Sequence, residues 1–225
     1  MWVKPASHFA GTDDVIDLYT WGTPNGHKVS IALEEMGLAY GVHAVNIGKD
    51  EQFAPAFLAI SPNNKIPAIV DHDAPGGAQT VFESGAILLY LAEKTGRFLS
   101  PSGPERVAAL EWLFWQVGGL GPMIGQLNWF ASPNRPAVPV GIERYTNEGR
   151  RLLGVMDKRL STVPYLAGDD YSIADMACYA WILSALSYTA KRSPALIPDM
   201  PSVRRWLDDV GARPAVQRGM SVAKA

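Results

Sequence analysis

The chain has 225 residues, of which 48% are hydrophobic and 19% charged, and its formal net charge is −2. This mixture is typical of a folded chain with one or two domains and excludes a disordered chain, a collagen or a coiled coil. The near-neutral charge gives no general attraction to nucleic acid or an anionic membrane, so neither is predicted as a partner. The single cysteine, Cys178, excludes an intrachain disulfide, a Cys-x-x-Cys redox pair and a thiolate metal cluster.

The N-terminal segment, residues 1–14, has neither the charged start nor the apolar middle of a signal peptide. No window of the sequence approaches the roughly 18 apolar residues of a transmembrane helix. We therefore expect a cytoplasmic protein with a short N-terminal extension over residues 1–14.

The first half of the chain alternates between strand and helix patterns. Four short β-rich runs predict strands, at residues 15–19, 40–45, 66–70 and 80–82. Three stretches with helical spacing predict helices, at residues 29–37, at residues 52–60 and from residue 84 onward. The resulting order, β-α-β-α-β-β-α, predicts a compact α/β domain over residues 15–95.

The second half is helical throughout. Residues 96–103 are rich in Gly, Pro and Ser and are a predicted linker to an all-α domain over residues 104–225. Five stretches predict its helices, at residues 104–129, 141–160, 172–190, 203–210 and 214–223. Glycines near residue 118 predict a bend in the first of these, and the nearly all-apolar third is the predicted central helix.

A Ser-x-x-Asp sequence begins the apolar stretch at residue 172. The Ser172 hydroxyl can accept from the backbone N–H of residue 175, and the Asp175 carboxylate can accept from the N–H of Ser172, with Tyr171 packed beside them. We interpret this motif as structural, because it begins a buried helix whose first N–H groups would otherwise be unpaired.

The pair Ile66-Pro67 enters the third predicted strand. Proline cannot donate to a strand ladder, so its neighbours have free backbone groups. If the peptide bond is cis, the N–H and C=O of Ile66 face a cleft, where an extended peptide can pair with them. The alternative is an ordinary proline of an edge strand.

The pair Glu83-Ser84 precedes the last helix of the α/β half. Ser84 begins this helix, whose free N–H groups and positive dipole end favour a carboxylate, and the Glu83 side chain can pair with an ammonium. Together they are typical of a site for an α-amino acid head. Taken singly, Ser84 is a helix cap and Glu83 a surface charge.

The turn over residues 19–28 follows the first strand and precedes the first helix, where α/β folds place reactive groups. The Thr23 hydroxyl or the Asn25 amide can donate to a sulfur anion there, and the helix dipole lowers the pKa of a nearby thiol. The alternative is that Thr23 and Asn25 only cap the helix.

Other chemically capable side chains are predicted to be structural. Cys178 lies in the apolar stretch and is a predicted inert core thiol, and Trp112 and Trp115 are predicted core residues. The histidines have no metal-ligand spacing, so no metal site is predicted at His8, His27, His43 or His72.

The order of these motifs resembles the cytosolic glutathione transferases, with a thioredoxin-like domain followed by an all-helical domain, over about residues 15–222. Residues 23–28, 60–72, 82–96 and 116–123 are most similar to the bacterial Nu class. The resemblance implies that Ile66 holds the cysteinyl backbone of glutathione. It also implies that Glu83 and Ser84 hold the γ-glutamyl end of glutathione. Gln52 and Lys65 would reach its glycyl end.

The resemblance also implies the chemistry. Thr23 and Asn25 would lie at the glutathione sulfur as catalytic residues, and Arg144 would contact glutathione from the helical domain. Tyr19 is not at the turn position used by tyrosine-type transferases, and Thr23 begins the corresponding turn. The Nu class is associated with reduction of small disulfides and binds two glutathione molecules or one glutathione disulfide. A homodimeric, glutathione-dependent disulfide-bond reductase without a metal is therefore expected.

Two alternatives stay open. The first is conventional conjugation of glutathione to electrophiles, with the aromatic helix around Trp115 lining an acceptor pocket. The second is a non-catalytic glutathione-binding or regulatory protein, since a fold does not by itself define an activity.

Overall fold

The computed structural model of the protein describes residues 15–196 and 199–222. The predicted extension over residues 1–14, including His8, lies outside these ranges. The N-terminal half contains one four-stranded sheet, and the rest of the described chain is helical, as predicted. The strands are β1 (Ile16–Thr20), β2 (Tyr40–Ala44), β3 (Ala68–Asp71) and β4 (Gln79–Phe82).

The sheet has the order β2-β1-β3-β4. Strands β1 and β2 are parallel and are connected by a helix, whereas β3 runs antiparallel to β1 and forms a hairpin with β4. The register pairs Tyr19 with Ala68, and Ala68 with Phe82. The last residues of β1 and β4 and the first residue of β3 therefore lie at the same end of the sheet.

Three α-helices belong to this half: α1 (Pro24–Met36), α2 (Pro55–Leu58) and α3 (Ser84–Thr95). The single helix predicted over residues 52–60 is wrong, because the chain forms a 3₁₀ turn at Glu51–Phe53 before α2 begins. Pro55 explains the difference, since it has no N–H to donate to the carbonyl four residues earlier.

The helical half contains seven α-helices within the described ranges: α4 (Gly103–Trp115), α5 (Gly121–Phe130), α6 (Pro139–Leu160), α7 (Ile173–Ser184), α8 (Ala190–Arg192), α9 (Pro201–Gly211) and α10 (Pro214–Gly219). The break predicted in the first of them is a π-helical segment, Gln116–Leu120, between α4 and α5. A second π-helical segment, Ala185–Thr189, divides the predicted central helix into α7 and α8. None of the described helices combines the length and apolar character that crossing a membrane requires.

One hydrophobic core extends through both halves, because α1 packs against α3 of its own half and against α7 and α10 of the helical half. The contact with α10 is very close. A Cβ atom on Gly219 would lie 2.6 Å from the Cα of Ile31, so only glycine fits there. The Ser30 hydroxyl donates to the Gly219 carbonyl at 2.7 Å. The position of α1 thus depends on the helical half.

The capping motif at the start of α7 is present as part of a larger network. The Asp175 carboxylate accepts from the Ser172 N–H and hydroxyl at 3.0 and 3.2 Å, from the Leu166 N–H at 3.0 Å and from the Trp206 indole at 2.8 Å. The Ser172 hydroxyl in turn accepts from the N–H of Ala174 at 3.3 Å. Burial raises the pKa of Asp175, and the four hydrogen bonds oppose that rise.

Candidate functional site

The predicted site residues of the α/β half converge at one end of the sheet. The turn that carries Thr23 and Asn25 leaves this end after β1, Ile66 enters it before β3, and Glu83 and Ser84 follow β4. Because three strands meet there in register, residues that are 60 apart in the sequence share one edge. The sheet topology therefore brings five of the predicted residues together.

Thr23 is the N-cap of α1, and its side-chain oxygen accepts from the N–H of Gly26 at 3.2 Å. In this bond the Thr23 oxygen is the acceptor, so the hydrogen of its hydroxyl group can still be donated to another group. Within the described residues, the Thr23 hydroxyl donates to no other atom. It is both a cap and a free donor.

Asn25 lies one residue after Pro24 in the first turn of the same helix. Its Oδ1 accepts from the indole Nε1–H of Trp181 on α7 at 2.8 Å. Its Nδ2 amino group donates to no atom in the part of the chain that the structure describes. Two side-chain donors and the positive end of the α1 dipole are thus available for an anion at this turn.

The peptide bond between Ile66 and Pro67 is cis. Ile66 is half-buried and directly precedes β3, and its backbone N–H and C=O make no hydrogen bond to any other described residue. A strand-like peptide bound at this edge therefore finds one donor and one acceptor on Ile66.

Glu83 and Ser84 connect β4 to α3. Glu83 is exposed and adopts φ 70° and ψ 116°, a conformation that L-residues avoid and that frequently marks functional sites. The prediction that Ser84 caps α3 is wrong: Glu83 holds the cap position, and Ser84 is the first helical residue. The Ser84 hydroxyl instead accepts from the Lys28 ammonium at 3.2 Å.

Lys28 is the functional candidate that sequence reasoning missed. It is 2% exposed, and its Nζ donates to Ser84 Oγ and, at 2.6 Å, to the Oε1 of Gln116 in the π-helical segment. Burial lowers the pKa of Lys28 to about 8, while nearby Cys178 and Glu83 act in the opposite direction. One signal was visible in the sequence: Lys28 precedes the buried Ile31 and Ala32 by three and four residues, on the same helix face.

The other predicted contacts are less closely assembled. Gln52 follows β2 at the same end of the sheet, and its Oε1 is buried and unbonded among the described residues. Lys65 is exposed beside Ile66. Arg144 is exposed on α6, where it lines a depression of about 390 Å³ with other α6 residues. No hydrogen bond within the described ranges connects Arg144 to the sheet end.

The only cysteine of the sequence is fully buried in α7, and burial raises the pKa of Cys178 well above its ordinary value. The prediction of an inert core thiol is confirmed.

His43 and His72 each pair with the Asp17 carboxylate at 2.8 Å. Across residues 15–196 and 199–222, no group of three His, Cys, Asp or Glu side chains could hold a metal ion.

The lowered pKa of Lys28 predicts a pH-dependent stability. The pKa of Lys28 is about 8 in the folded state and about 10.5 in the unfolded state. Between these two values the unfolded chain binds more protons than the folded protein, so raising the pH favours folding. The free energy of unfolding of the wild type should therefore rise, relative to that of Lys28→Met, by about 2 kcal/mol between pH 7 and pH 9.5. Urea unfolding at several pH values measures this difference. The exposed Lys49→Met is the matched control, and parallel profiles for wild type and Lys28→Met would contradict the prediction.

Family models identify the class of protein. The N-terminal domain of glutathione S-transferases matches residues 14–93, and the C-terminal domain of the same family matches residues 143–214. Together with the thioredoxin-like α/β half, the helical half and the sheet-end site, these matches show that the chain belongs to the glutathione S-transferase family. The fold class predicted from the sequence is confirmed.

Two curated relatives are named for a redox activity. The chain is 51% identical over 213 residues to the disulfide-bond oxidoreductase YfcG of Escherichia coli, which covers 94% of this chain and 96% of that protein. It is 41% identical to the disulfide-bond oxidoreductase YghU of the same organism, over 92% of this chain and 74% of that protein.

Solved structures of related transferases contain glutathione. A Burkholderia graminis glutathione transferase with two glutathione molecules per subunit has a TM-score of 0.90 and 42% identity, over 98% of this chain and 91% of that one. A Pseudomonas putida glutathione transferase with one glutathione disulfide per subunit has a TM-score of 0.89 and 42% identity, over 98% and 95% of the two chains.

Proposed function

We propose that this protein is a glutathione-dependent disulfide-bond reductase, which uses two glutathione thiols to reduce small disulfides. One observation carries this proposal. The acceptor oxygens of Thr23 and Asn25 are both occupied by N–H groups of the chain, so their remaining hydrogens are available to a thiolate at the α1 N-terminus. The names of the curated relatives and the glutathione in the related structures support the same assignment.

The sheet end matches the polar groups of glutathione. The Ile66 backbone pairs with the cysteinyl residue, and the exposed Glu83 carboxylate binds the γ-glutamyl ammonium. Ser84 and the free N–H groups of α3 bind the neighbouring carboxylate. Lys28 lies directly behind Ser84, so its positive charge favours the same carboxylate.

The glycyl end extends along the edge toward β2. The unbonded Gln52 Oε1 accepts from an N–H of the tripeptide, and the exposed Lys65 ammonium pairs with the terminal carboxylate. Arg144 contacts glutathione from the helical domain. This last role draws only on the family resemblance, since Arg144 and the sheet end share no hydrogen bond within residues 15–196 and 199–222.

The reaction is thiol–disulfide exchange in two steps. A glutathione thiolate held by Thr23 and Asn25 attacks one sulfur of the disulfide RSSR, which forms a mixed disulfide and releases RS⁻. A second glutathione thiolate then attacks the glutathione sulfur of the mixed disulfide, which yields glutathione disulfide and a second RS⁻. Two glutathione molecules are oxidised, one disulfide is reduced, and the chain supplies no redox-active sulfur because Cys178 is buried.

We place the protein in the bacterial Nu class, as a cytoplasmic homodimer with its domain linker over residues 96–103. The end of α3 at Thr95 and the start of α4 at Gly103 support this linker. Sedimentation at micromolar concentration is expected to show a dimer of about twice 24.4 kDa, and a monomer would contradict the proposed assembly.

The activity is tested with hydroxyethyl disulfide and glutathione, with the glutathione disulfide formed measured through glutathione reductase and NADPH. Turnover of this substrate should exceed conjugation to chlorodinitrobenzene by the same preparation. Faster conjugation would favour a conventional transferase instead. Glutathione binding without turnover of either substrate would favour a non-catalytic binding protein.

A further inference from the structure

Among the described residues, one hydrogen bond links the helical half to the side chains of Thr23 and Asn25, and Trp181 donates it. Its indole Nε1–H donates to Asn25 Oδ1 at 2.8 Å, across 156 residues of sequence. An indole nitrogen can only donate, so the amide atom that faces it must be the oxygen. The Asn25 amino group is therefore turned away from Trp181 and remains unbonded within the described chain.

The position of Trp181 is itself fixed by two glycines of α5. A Cβ atom on Gly121 would lie 3.3 Å from Trp181 Cε2, and one on Gly125 would lie 3.4 Å from its Cη2. The absence of side chains at both positions lets the indole lie close against the α5 backbone. The donor that faces Asn25 is therefore held by packing between α5 and α7.

We propose that Trp181 is a positioning residue that selects the donor-facing state of the Asn25 amide. This inference rests on the proposed function, in which the Asn25 amino group donates to the glutathione thiolate. The terminal torsion of asparagine is broad and roughly two-fold, so without a fixed neighbour its oxygen and amino group exchange places easily. An amide oxygen directed at a thiolate repels it, whereas the amino group stabilises it.

The test is the pKa of the bound glutathione thiol, followed by the ultraviolet absorbance of the thiolate as the pH is raised. Trp181→Phe keeps an aromatic ring packed against α5 but removes the indole N–H. It should raise the thiol pKa by about half a unit to one unit, because a neutral hydrogen bond biases the amide by roughly that much. The KM for glutathione should change less than twofold, since the backbone and carboxylate contacts of the tripeptide are intact.

A double-mutant cycle separates positioning from general damage. If Trp181 acts only through the Asn25 amide, Trp181→Phe in an Asn25→Ala background should not shift the thiol pKa further. Trp206→Phe is the matched control, because it also removes an indole N–H bond of 2.8 Å, to the structural Asp175. It should lower stability and leave the thiol pKa unchanged.

The possible failures are distinguishable. If the wild type lowers the thiol pKa of bound glutathione and Trp181→Phe leaves it lowered, the role of Trp181 is overturned while the proposed function stands. If the wild type does not lower the thiol pKa at all, both are overturned. Trp181→Leu, which is apolar and also lacks a donor, replaces the phenylalanine variant if thermal unfolding shows that the latter does not fold.

Discussion

Asn25→Ala should lower kcat/KM for disulfide reduction by roughly 10- to 150-fold, because a hydrogen bond to a charged group contributes about 1.5–3 kcal/mol. The Asn25 amino group has no acceptor among the described residues, so its loss is expected to weaken thiolate binding, whereas the loss of Oδ1 leaves the Trp181 indole N–H unpaired and affects stability. The pH profile should move to higher pH as the bound thiol becomes harder to ionise. Coupled disulfide reduction measured between pH 6 and pH 9 shows both changes.

Substitutions at Thr23 test the second proposed donor to the thiolate, and Thr23→Ser is the control for Thr23→Ala. Thr23→Ala removes a donor to sulfur and also the N-cap bond to Gly26, which costs about 1 kcal/mol of stability. Thr23→Ser retains the hydroxyl and should keep most of the activity. Asn25→Asp retains an oxygen for Trp181 but places a carboxylate near the sulfur, so its activity should fall at least as far as that of Asn25→Ala. Wild-type turnover in both alanine variants would refute the assigned roles.

The parts of the fold that were predictable are local in sequence. The capping motif at Ser172 and Asp175 needs only three residues of separation, and hydrophobic spacing was sufficient for most helices and strands. The errors have equally local causes. Pro55 separates a 3₁₀ turn from α2, a division that the hydrophobic pattern could not distinguish from one helix, and the π-helical segment at Ala185–Thr189 has no distinctive spacing.

The sequence predicted the site residues that lie in local motifs, but not those that depend on contacts between distant elements. The turn at Thr23 and the Glu83-Ser84 pair were visible because each begins a helix. Lys28 was missed because its two hydrogen-bond partners are 56 and 88 residues away, and Trp181 because it is 156 residues from Asn25. A buried lysine and a partly buried tryptophan look like ordinary helix residues until the two halves are packed together.

Lys28 and Trp181 each connect the proposed glutathione site of the α/β half to the helical half by a hydrogen bond. Gln116 is fully buried and lies in the π-helical segment between α4 and α5, where its Oε1 accepts from Lys28. Its Nε2 is unbonded among the described residues, so Lys28 is the one hydrogen-bond partner of this side chain there. Helix α5, whose Gly121 and Gly125 pack against the Trp181 indole, begins directly after this segment. The irregular backbone at Gln116–Leu120 therefore positions the groups behind both the carboxylate site and the thiolate site.

Asp175→Ala should lower the free energy of unfolding by about 3–5 kcal/mol, the largest stability loss that we predict for one substitution. The Asp175 carboxylate accepts four hydrogen bonds, from Leu166, Ser172 and Trp206, and alanine would leave these buried donors unpaired. Urea unfolding measures the loss.

The stability of α7 matters for catalysis because the same helix carries Trp181 and the core contact with α1. Asp175→Asn retains one acceptor oxygen but turns an amino group toward donors, so its stability should fall between those of the alanine variant and the wild type. The exposed Asp170→Ala is the matched control and should change the unfolding free energy by less than about 0.5 kcal/mol. A loss below about 1 kcal/mol for Asp175→Ala would show that water replaces the carboxylate and that the network does not hold α7 in place.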